Sequence, residues 1–344
     1  MRLAGSPLAQ GQGGLNDEGT YLMPSICNRS RPKGTAASAR TRIGRLTCGL
    51  AASLTALGLA AVLPAAVASA APPPPAAGVA PGAAAESAGL VDLFYTAANG
   101  TVWTLTAGGT PGTPTQVGTG KVIGGVSAFS AAGALVVFGE GTDHQLWWAT
   151  RVNGAWGAWT SLGGNLSSKP GAVFRGPSSA DYSVFVRGTD GAVWARDHSA
   201  AGWGAWHSIG GQLLAGTGPS AAFLGGTFVL VVGTNKELFI AHAGVTGFSA
   251  AGGQTTTSPA LTAITGALVG FARGTDNAAY YHRFLSTSPG WHLMGGNLTA
   301  GLAAVAAGST TYTFGLGTDS QVYRNIGTWT AYPPTFSGWV KVTG

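Results

Sequence analysis

Short hydrophobic segments alternate with polar turns along most of the chain. From residue 90 to residue 344, runs rich in Val, Phe, Trp and Thr are separated by clusters of Gly, Asn, Asp and Ser. No stretch of this region repeats its apolar residues with the helical period. Short alternating runs bounded by turn residues are typical of β-strands. The pattern therefore predicts an all-β protein.

The strand pattern is also periodic. A strand, the tripeptide Gly-Thr-Asp and a second strand with an aromatic residue recur along the chain. Six copies, of which the first and fourth diverge most, are centred on Asn99, Asp143, Asp190, Asn235, Asp276 and Asp319. Successive copies lie 41 to 47 residues apart, which is about the length of one four-stranded propeller blade. We predict a β-propeller of six repeats, with a seventh blade if the ring closes differently.

Each repeat has room for four strands. In the second repeat we predict these at 135–139, 145–150, 156–162 and 171–175. Large apolar residues stand five positions before each central Asp or Asn, at Phe94, Phe138, Phe185, Leu230, Phe271 and Phe314. Aromatic residues stand four positions after it, at Trp103, Trp147, Trp194, Phe239, Tyr280 and Tyr323. Because a bulky side chain fills both positions in every copy, we expect these side chains to form the core between blades.

A further aromatic residue precedes a Gly-Gly pair near the end of most repeats. It occurs at Trp159, Trp206, Phe248, Trp291 and, in a degenerate copy, Trp339. The Gly-Thr-Asp tripeptide itself is interpreted as a hairpin turn. Glycine would supply unusual dihedral angles there, and Asp or Asn would bond its own backbone. Some of these Asp and Thr side chains would also face ligand on one rim.

The composite pattern at 184–194 followed by 202–211 resembles the PLL-like β-propeller lectins, and 156–164 matches it equally well. Those proteins are bacterial propellers, typically seven-bladed, that bind fucose and related sugars between blades. The resemblance covers residues 90 to 344 and implies a lectin with fucose-like glycans as partners. This chain departs from the pattern by its six repeats and by a Trp-x-x-Trp pair in only the second and third.

The N-terminal part of the chain has the features of a secretory signal. Three arginines precede an apolar run at 49–67, which ends in Ala-Ser-Ala at 68–70. A basic flank, a short apolar core and such a cleavage site describe a signal peptide. We therefore predict a leader with signal peptide at 1–70, and a secreted, extracellular product with no membrane span after cleavage.

A Pro/Ala-rich segment at 71–89 follows and is interpreted as a linker, although 81–85 could supply a short strand. The propeller domain is predicted at 90–344. Both cysteines, Cys27 and Cys48, lie in the leader. The product should therefore fold without disulfides.

Most of the positive charge also belongs to the leader. The whole chain carries a net charge of +6, of which residues 1–70 contribute +5 through seven basic and two acidic residues. The remainder holds 11 basic and 10 acidic residues without a basic cluster. A nucleic-acid partner is not expected, because such binding needs clustered Lys and Arg.

The sequence offers little for catalysis or metal binding. Its histidines are scattered and no thiol accompanies them, so neither a metal nor a cofactor is predicted. A glycosidase needs two carboxylates about 5–9.5 Å apart, whereas the repeated Asp residues would be spread around the ring. We predict a protein that is not an enzyme. A glycan hydrolase that uses Tyr281 or Glu140 and a protein-interaction propeller without sugar binding stay as alternatives.

Carbohydrate binding fits the remaining residues best. Sugars present C–H faces that pack on aromatic rings and hydroxyls that need fixed polar partners. Trp148 is the first candidate, because its counterparts in the other repeats vary and are not required for packing. The full set of predicted sugar-binding residues is Trp148, Trp156, Trp203, Arg187, Arg273, Asp143 and Asp190.

Overall fold

Six antiparallel blades of β-strands make up the described part of the protein. The computed structural model describes residues 71–87, 89–176, 178, 180–244, 247–284 and 290–343. Every regular element in these residues is a strand, so the prediction of an all-β propeller with six blades is confirmed. None of these residues forms a helix that could cross a membrane. The predicted leader and signal peptide lie outside the described residues.

The strands follow one another from the centre of each blade to its outer edge. Blade 1 contains β1 (Gly82–Ser87), β2 (Leu90–Thr96), β3 (Thr101–Thr106) and the first part of β4 (Thr115–Ala131). Blade 2 contains the rest of β4, β5 (Ala134–Gly141), β6 (Leu146–Val152), β7 (Ala155–Trp156) and β8 (Thr160–Ser161). Blade 3 contains β9 (Gly171–Phe174), β10 (Tyr182–Arg187), β11 (Val193–Ser199), β12 (Gly202–Trp203) and β13 (His207–Gly210).

The second half of the ring repeats this order. Blade 4 contains β14 (Ser220–Phe223), β15 (Thr227–Val232), β16 (Glu237–His242) and β17 (Ser249–Gln254). Blade 5 contains β18 (Ala260–Ile264), β19 (Ala267–Arg273), β20 (Ala279–Phe284) and β21 (His292–Gly295). Blade 6 contains β22 (Ala303–Ala307), β23 (Thr310–Leu316), β24 (Val322–Thr328), β25 (Thr335–Phe336) and β26 (Val340–Lys341).

Strand β4 belongs to two blades. Its first part pairs with β3, ending at the Thr101–Lys121 pair, and its second part pairs with β5 from the Val122–Gly141 pair onward. One continuous strand therefore serves as the outer edge of blade 1 and the innermost strand of blade 2. The other blades are joined by loops.

The hydrophobic core is divided among the blade interfaces. Six clusters of buried residues each combine side chains of two neighbouring blades, including blades 6 and 1. The apolar residues five positions before the turn are at most 2% exposed in all six blades. The prediction that this position forms inter-blade core is confirmed. Such burial is the main favourable term in folding.

The ring closes through packing and side-chain hydrogen bonds between blades 6 and 1. Inner strands β1 and β22 lie next to each other. The guanidinium of Arg324 donates hydrogen bonds to the carbonyls of Ala107 and Gly109, the latter at 2.7 Å. The backbone N–H of Gly89 donates to the hydroxyl of Tyr312 at 3.2 Å. No strand is exchanged between the first and last blades within the described residues, since each is built from consecutive strands.

Two sequence predictions about strands are corrected. Strand β1 lies inside the segment 71–89 that was interpreted as a linker, so the alternative of a short strand at 81–85 is confirmed and the propeller begins before residue 90. The strand at Gly171–Phe174 was assigned to the second repeat, but it pairs with β10 and is the innermost strand of blade 3. The innermost strand of blade 2 is supplied by β4 instead.

An acidic side chain is buried where blades 1 and 2 meet. Asp92 is 1% exposed, and one of its carboxylate oxygens lies 3.6 Å from the guanidinium of Arg151. The guanidinium also pairs with Glu86. Desolvation raises the pKa of Asp92 to about 6, with a smaller contribution from Glu86, although Arg151 opposes the rise.

Stability should therefore decrease as Asp92 ionises. Because its pKa in the folded protein exceeds that in the unfolded chain, its contribution is complete below about pH 4 and is lost as the pH rises through 6. We expect Asp92→Asn to gain up to about 3 kcal/mol in unfolding free energy relative to wild type between pH 4 and 7. Urea denaturation at each pH measures this difference. A difference that does not change with pH would contradict the prediction.

Candidate functional site

The six repeated turns have one geometry. The N–H of the residue after Asp or Asn bonds the carbonyl three residues before it, as from His144 to Gly141 at 2.9 Å. That residue has a positive φ in every blade, for example 60° at His144 and 69° at Asn277. The Asp or Asn side chain accepts the N–H two residues ahead in all six turns, at 3.0 to 3.1 Å. The turn interpretation is confirmed for the Asp and Asn residues.

The glycine of the turn serves a purpose that the sequence did not indicate. Gly141, Gly188 and Gly274 are not among the residues with positive φ. Instead, a Cβ atom at Gly188 would lie 2.7 Å from the ring of Trp194 and 2.6 Å from the carboxylate of Asp190. The expected role in supplying unusual dihedral angles is wrong. Glycine is needed because the aromatic residue of the next strand approaches its backbone.

The aromatic residue after each turn is only half-buried. In blade 3 the indole N–H of Trp194 donates to Asp190 at 3.1 Å, and in blade 5 the hydroxyl of Tyr280 donates to Asp276 at 2.8 Å. Blades 2 and 6 repeat this bond from Trp147 to Asp143 and from Tyr323 to Asp319. This position was predicted as core. The structure shows it half-buried in all six blades, with Trp103, Trp194 and Phe239 packed against the inter-blade clusters.

The aromatic residue before each Gly-Gly pair packs on the glycine backbone of the preceding blade. A Cβ atom at Gly164 would lie 3.0 Å from the ring of Trp206, and one at Gly253 would lie 2.7 Å from Trp291. The indole N–H of Trp291 donates to the carbonyl of Ala251 at 3.0 Å. Blades 2 to 6 therefore each place an indole or phenyl ring against the glycine backbone of the preceding blade.

These features enclose three equivalent pockets between blades. The largest, of about 410 Å³ between blades 2 and 3, is lined by Gly164, Asn165, Leu166, Val186, Gly188, Thr189, Asp190, Trp194 and Trp206. A second, of about 280 Å³ between blades 4 and 5, includes Gly253, Gln254, Thr275, Asp276, Tyr280 and Trp291. A third, of about 230 Å³ between blades 1 and 2, includes Gly120, Lys121, Thr142, Asp143, Trp147 and Trp159. We call these the 2/3, 4/5 and 1/2 pockets.

The three pockets share one arrangement of side chains. Each has two aromatic rings, the Thr and Asp of the turn, and one polar side chain that follows the glycine of the preceding blade. That last residue is Asn165, Gln254 or Lys121 in the 2/3, 4/5 and 1/2 pockets respectively. Apolar rings beside a few fixed polar groups are the usual composition of a small-molecule site.

Hydrogen bonds favour the ionised form of two of the pocket Asp side chains, Asp143 and Asp276. The hydrogen bond from the Tyr280 hydroxyl, followed by that from the Ala278 N–H, lowers the pKa of Asp276 below its usual value. For Asp143, desolvation acts in the opposite direction, but hydrogen bonds from Gln145 and Trp147 still lower the pKa. A carboxylate has about four acceptor positions and these bonds use only some of them. It can therefore accept further hydrogen bonds from a ligand.

The structure brings two of the predicted sugar-binding residues into pockets, namely Asp143 and Asp190. The two predicted arginines stand directly before the turn glycines, and each donates a hydrogen bond to a backbone carbonyl. Arg187 donates to the carbonyl of Leu213 at 3.2 Å and to the hydroxyl of Ser167 at 2.6 Å. Arg273 donates to the carbonyl of Leu298 at 2.7 Å and also to Asn277. Neither arginine lines the three pockets.

The three predicted tryptophans lie in aromatic clusters between blades. Trp148 stacks on Phe138 at 6.2 Å, with 14° between the ring planes, and meets Trp203 edge-on at 5.8 Å. Trp156 meets Phe94 edge-on at 6.0 Å, and the guanidinium of Arg151 lies 5.9 Å from its ring centroid. None of the three tryptophans lines the pockets described above.

The pocket aromatics were missed as binding residues because their regular spacing indicated core. Trp159, Trp206 and Trp291 were recognised only as landmarks of the repeat. A signal was available in the residue types. The position after each turn is filled by Trp or Tyr in five of six copies, and both carry a polar group, whereas the position before the turn holds only Phe or Leu. Buried Trp and Tyr usually need a hydrogen-bond partner.

The two residues named for a possible hydrolase lie in different blades. Glu140, which is 5% exposed in blade 2, lies 2.7 Å from the imidazole Nδ1 of His144. Tyr281, in blade 5, is 5% exposed and packs against Trp329 and Phe336. The described residues contain no group of three His, Cys, Asp or Glu side chains that could hold a metal ion.

No protein-family profile and no curated protein sequence matches the chain. Solved structures do match it. A mutant of the Aleuria aurantia lectin AAL, in complex with Fucα1-6GlcNAc, aligns with a TM-score of 0.61 at 15% identity over 79% of this chain and 99% of that one. Another AAL structure is described as a six-bladed β-propeller with a novel mode of fucose recognition. This chain has the fold of the six-bladed propeller lectins.

Two further lectins match to a similar degree. The lectin SapL1, in complex with α-methyl fucoside, aligns with a TM-score of 0.60 at 18% identity over 78% of this chain and 96% of that one. The lectin BP39L from Burkholderia pseudomallei aligns with a TM-score of 0.57 at 16% identity over 78% of this chain and 100% of that one. At these identities the likeness establishes the shared fold, and the ligand has to be argued from the pockets.

Proposed function

We propose that the protein is a non-catalytic carbohydrate-binding propeller whose sugar sites are the 1/2, 2/3 and 4/5 pockets. The observation that carries the proposal is the recurrence of one set of side chains in three separate pockets. Each contains two aromatic rings, a threonine hydroxyl, an Asp side chain and a polar side chain from the neighbouring blade. Because function depends on the site rather than on the fold, this repeated set supports the proposal more directly than the topology does.

The chemistry of the pockets suits a sugar. In the 2/3 pocket the half-buried rings of Trp194 and Trp206 offer apolar surface to the C–H face of a pyranose. The carboxylate of Asp190 and the exposed side chains of Thr189 and Asn165 can bond its hydroxyls. A pyranose needs this combination of one apolar wall and several fixed polar groups.

Fucose-like glycans are the ligands we propose first. The matching structures of AAL and SapL1 contain fucosides, and fucose has an apolar methyl group beside its hydroxyls. The three pockets differ mainly at Asn165, Gln254 and Lys121. These residues would therefore give the pockets different preferences for the groups attached to the sugar.

We also propose that the protein is secreted. This rests on the signal-peptide pattern that ends at Ala70. Exported protein with an N-terminus at Ala71 would support secretion, and product retained in the cell with an intact leader would contradict it.

Loss of the three pocket tryptophans should weaken sugar binding in all three pockets. We expect a variant with Trp159→Ala, Trp206→Ala and Trp291→Ala to bind α-methyl fucoside at least 10-fold more weakly than wild type, because each substitution removes one apolar wall. Isothermal titration calorimetry measures the change, after a glycan array has shown which glycan binds best. An array with no bound glycan would contradict the proposal.

Phe248 provides a matched control. It packs on Gly211 as Trp206 packs on Gly164, but the turn in its interface carries Asn235 and Phe239 instead of an Asp and a hydrogen-bonding aromatic. Phe248→Ala should therefore remove a similar inter-blade contact and leave fucoside affinity within about two-fold, since the pockets are unchanged. If both variants lost the same fucoside affinity, the cause would be a general destabilisation of the ring.

A further inference from the structure

A tunnel runs through the centre of the ring and is separate from the three pockets. Its volume is about 630 Å³, and residues from the innermost strands of all six blades line it. Most of these residues are small and apolar, among them Ala83, Ala128, Ala172, Ala221, Ala260 and Ala303. Small side chains leave the axis open, whereas larger ones would fill it.

Two hydroxyl groups of the tunnel wall join neighbouring blades. The hydroxyl of Ser127 accepts a hydrogen bond from the Ala172 N–H at 2.9 Å, and that of Ser220 accepts one from the Leu261 N–H at 2.9 Å. Because these bonds run between adjacent inner strands, they satisfy backbone donors that face the tunnel. The surface left to a ligand is mainly apolar.

Lys169 is the exception, at the end of the tunnel where β9 begins. Its side chain crosses the mouth toward the backbone of two other blades, with Cδ 3.2 Å from the Cβ position of Gly125 and Cγ 2.9 Å from that of Gly218. No carboxylate or other side chain among the described residues pairs with its ammonium group. Burial lowers the pKa of Lys169 to about 8.

The opposite end of the tunnel is apolar and aromatic. Phe129, Phe174 and Phe223 lie where their inner strands end, and Phe223 is 39% exposed. Arg175 also lies at this end, but its guanidinium is 3.6 Å from Asp197 and donates to the carbonyl of His198. The tunnel therefore has one unpaired cation at one end and an apolar wall that leads to phenylalanine rings at the other.

We propose that this tunnel binds an amphiphilic carboxylate, with the carboxylate at Lys169 and the hydrocarbon chain along the alanine-rich wall toward Phe129. The ligand would supply the anionic partner that Lys169 lacks and would cover apolar surface. This site is independent of the sugar pockets, which lie between the outer parts of the blades. Either site could exist without the other.

The dimensions of the tunnel indicate the size of the ligand. Inner strands of four to six residues span about 13–20 Å at a rise of about 3.3 Å per residue. This suits an extended chain of roughly 11–16 carbons, since a C–C bond of about 1.5 Å advances a zigzag chain by about 1.3 Å. Burial of one methylene contributes enough for about a four-fold gain in affinity. Affinity should therefore rise from octanoate through decanoate to dodecanoate.

The experiment is a titration of the purified protein with dodecanoate, below the concentration at which it forms micelles. We expect saturable binding to one site, and at least 10-fold weaker binding to Lys169→Met, which keeps the length of the side chain and removes its charge. Dodecan-1-ol should bind both proteins equally, because it has no charge to lose. Lys236→Met, at an exposed lysine in the turn of blade 4, should bind dodecanoate as wild type does.

A second measurement uses the wild-type protein alone. Lys169 and the paired Arg175 are the charged side chains that line the tunnel. As Lys169 loses its charge, dodecanoate affinity should fall about ten-fold between pH 7 and 9, since the pKa is about 8, while dodecan-1-ol affinity stays constant. No saturable dodecanoate binding, or equal binding by wild type and Lys169→Met, would overturn the proposal. Retention of binding in the presence of α-methyl fucoside would confirm that the tunnel and the sugar pockets are separate.

Discussion

Replacing Phe271 by alanine should lower the free energy of unfolding by about 3–5 kcal/mol. The side chain is fully buried between blades 5 and 6, where it packs in one cluster with Leu298, Leu302 and Trp329. Its removal leaves a cavity that strands held in register cannot close. Denaturation by guanidinium chloride, followed by tryptophan fluorescence, measures the loss.

Phe223 is the control for this substitution. It is also a phenylalanine on a blade strand, but it is 39% exposed. Phe223→Ala should cost clearly less than Phe271→Ala, because more than a third of its side chain is already in contact with water. Phe271→Leu should cost less than Phe271→Ala, since blade 4 carries Leu230 at the equivalent position. Similar losses for Phe271→Ala and Phe223→Ala would show that inter-blade burial does not determine stability.

The second large effect is expected at Gly171, where β9 begins. A Cβ atom there would lie 2.4 Å from the carbonyl oxygen of Pro219 and 3.0 Å from the Cα of Ser220, both in the backbone that leads into blade 4. Backbone atoms cannot rotate away as a side chain can, so the two inner strands would have to separate. We expect Gly171→Val to cost more than about 3 kcal/mol, the upper end of the usual range for overpacking.

Gly109 tests whether this cost comes from the close approach. A Cβ atom at Gly109 would meet no atom within 4 Å, and its φ is not positive. Gly109→Val should therefore change stability by no more than about 0.5 kcal/mol. Thermal unfolding of both variants measures the loss of stability. An equal loss for Gly109→Val and Gly171→Val would refute the steric explanation.

The sequence was sufficient for the architecture because turns and core recur with the period of a blade. The Phe or Leu before each turn and the Asp or Asn within it mark every repeat. Strand β1 was recognised only as an alternative to a linker, because inner strands near the axis carry small residues. Its Gly-Ala-Ala-Ala start has none of the β-branched residues that normally indicate a strand. The local sequence likewise does not indicate that β4 continues from blade 1 into blade 2.

The candidate site was predicted less completely. Periodicity shows that a position is used in the same way in every blade, but it does not distinguish a ring buried on both faces from one that forms the wall of a pocket. Trp206 and Trp148 are both half-buried. They differ because Trp206 crosses to the open glycine backbone of the preceding blade, whereas Trp148 meets Trp203 and Phe138. That difference depends on the partner blade and cannot be read from one repeat.

Within the described residues neither the first nor the last blade takes a strand from the other end of the chain. The ring therefore does not require that the chain begin in blade 1 and end in blade 6. Joining the present ends with a linker and opening the chain in a loop between other blades would leave every blade whole. The interface between blades 1 and 2 is different, since β4 runs through both. A circular permutant cut there would divide a single strand, so this pair behaves as one indivisible unit of the ring.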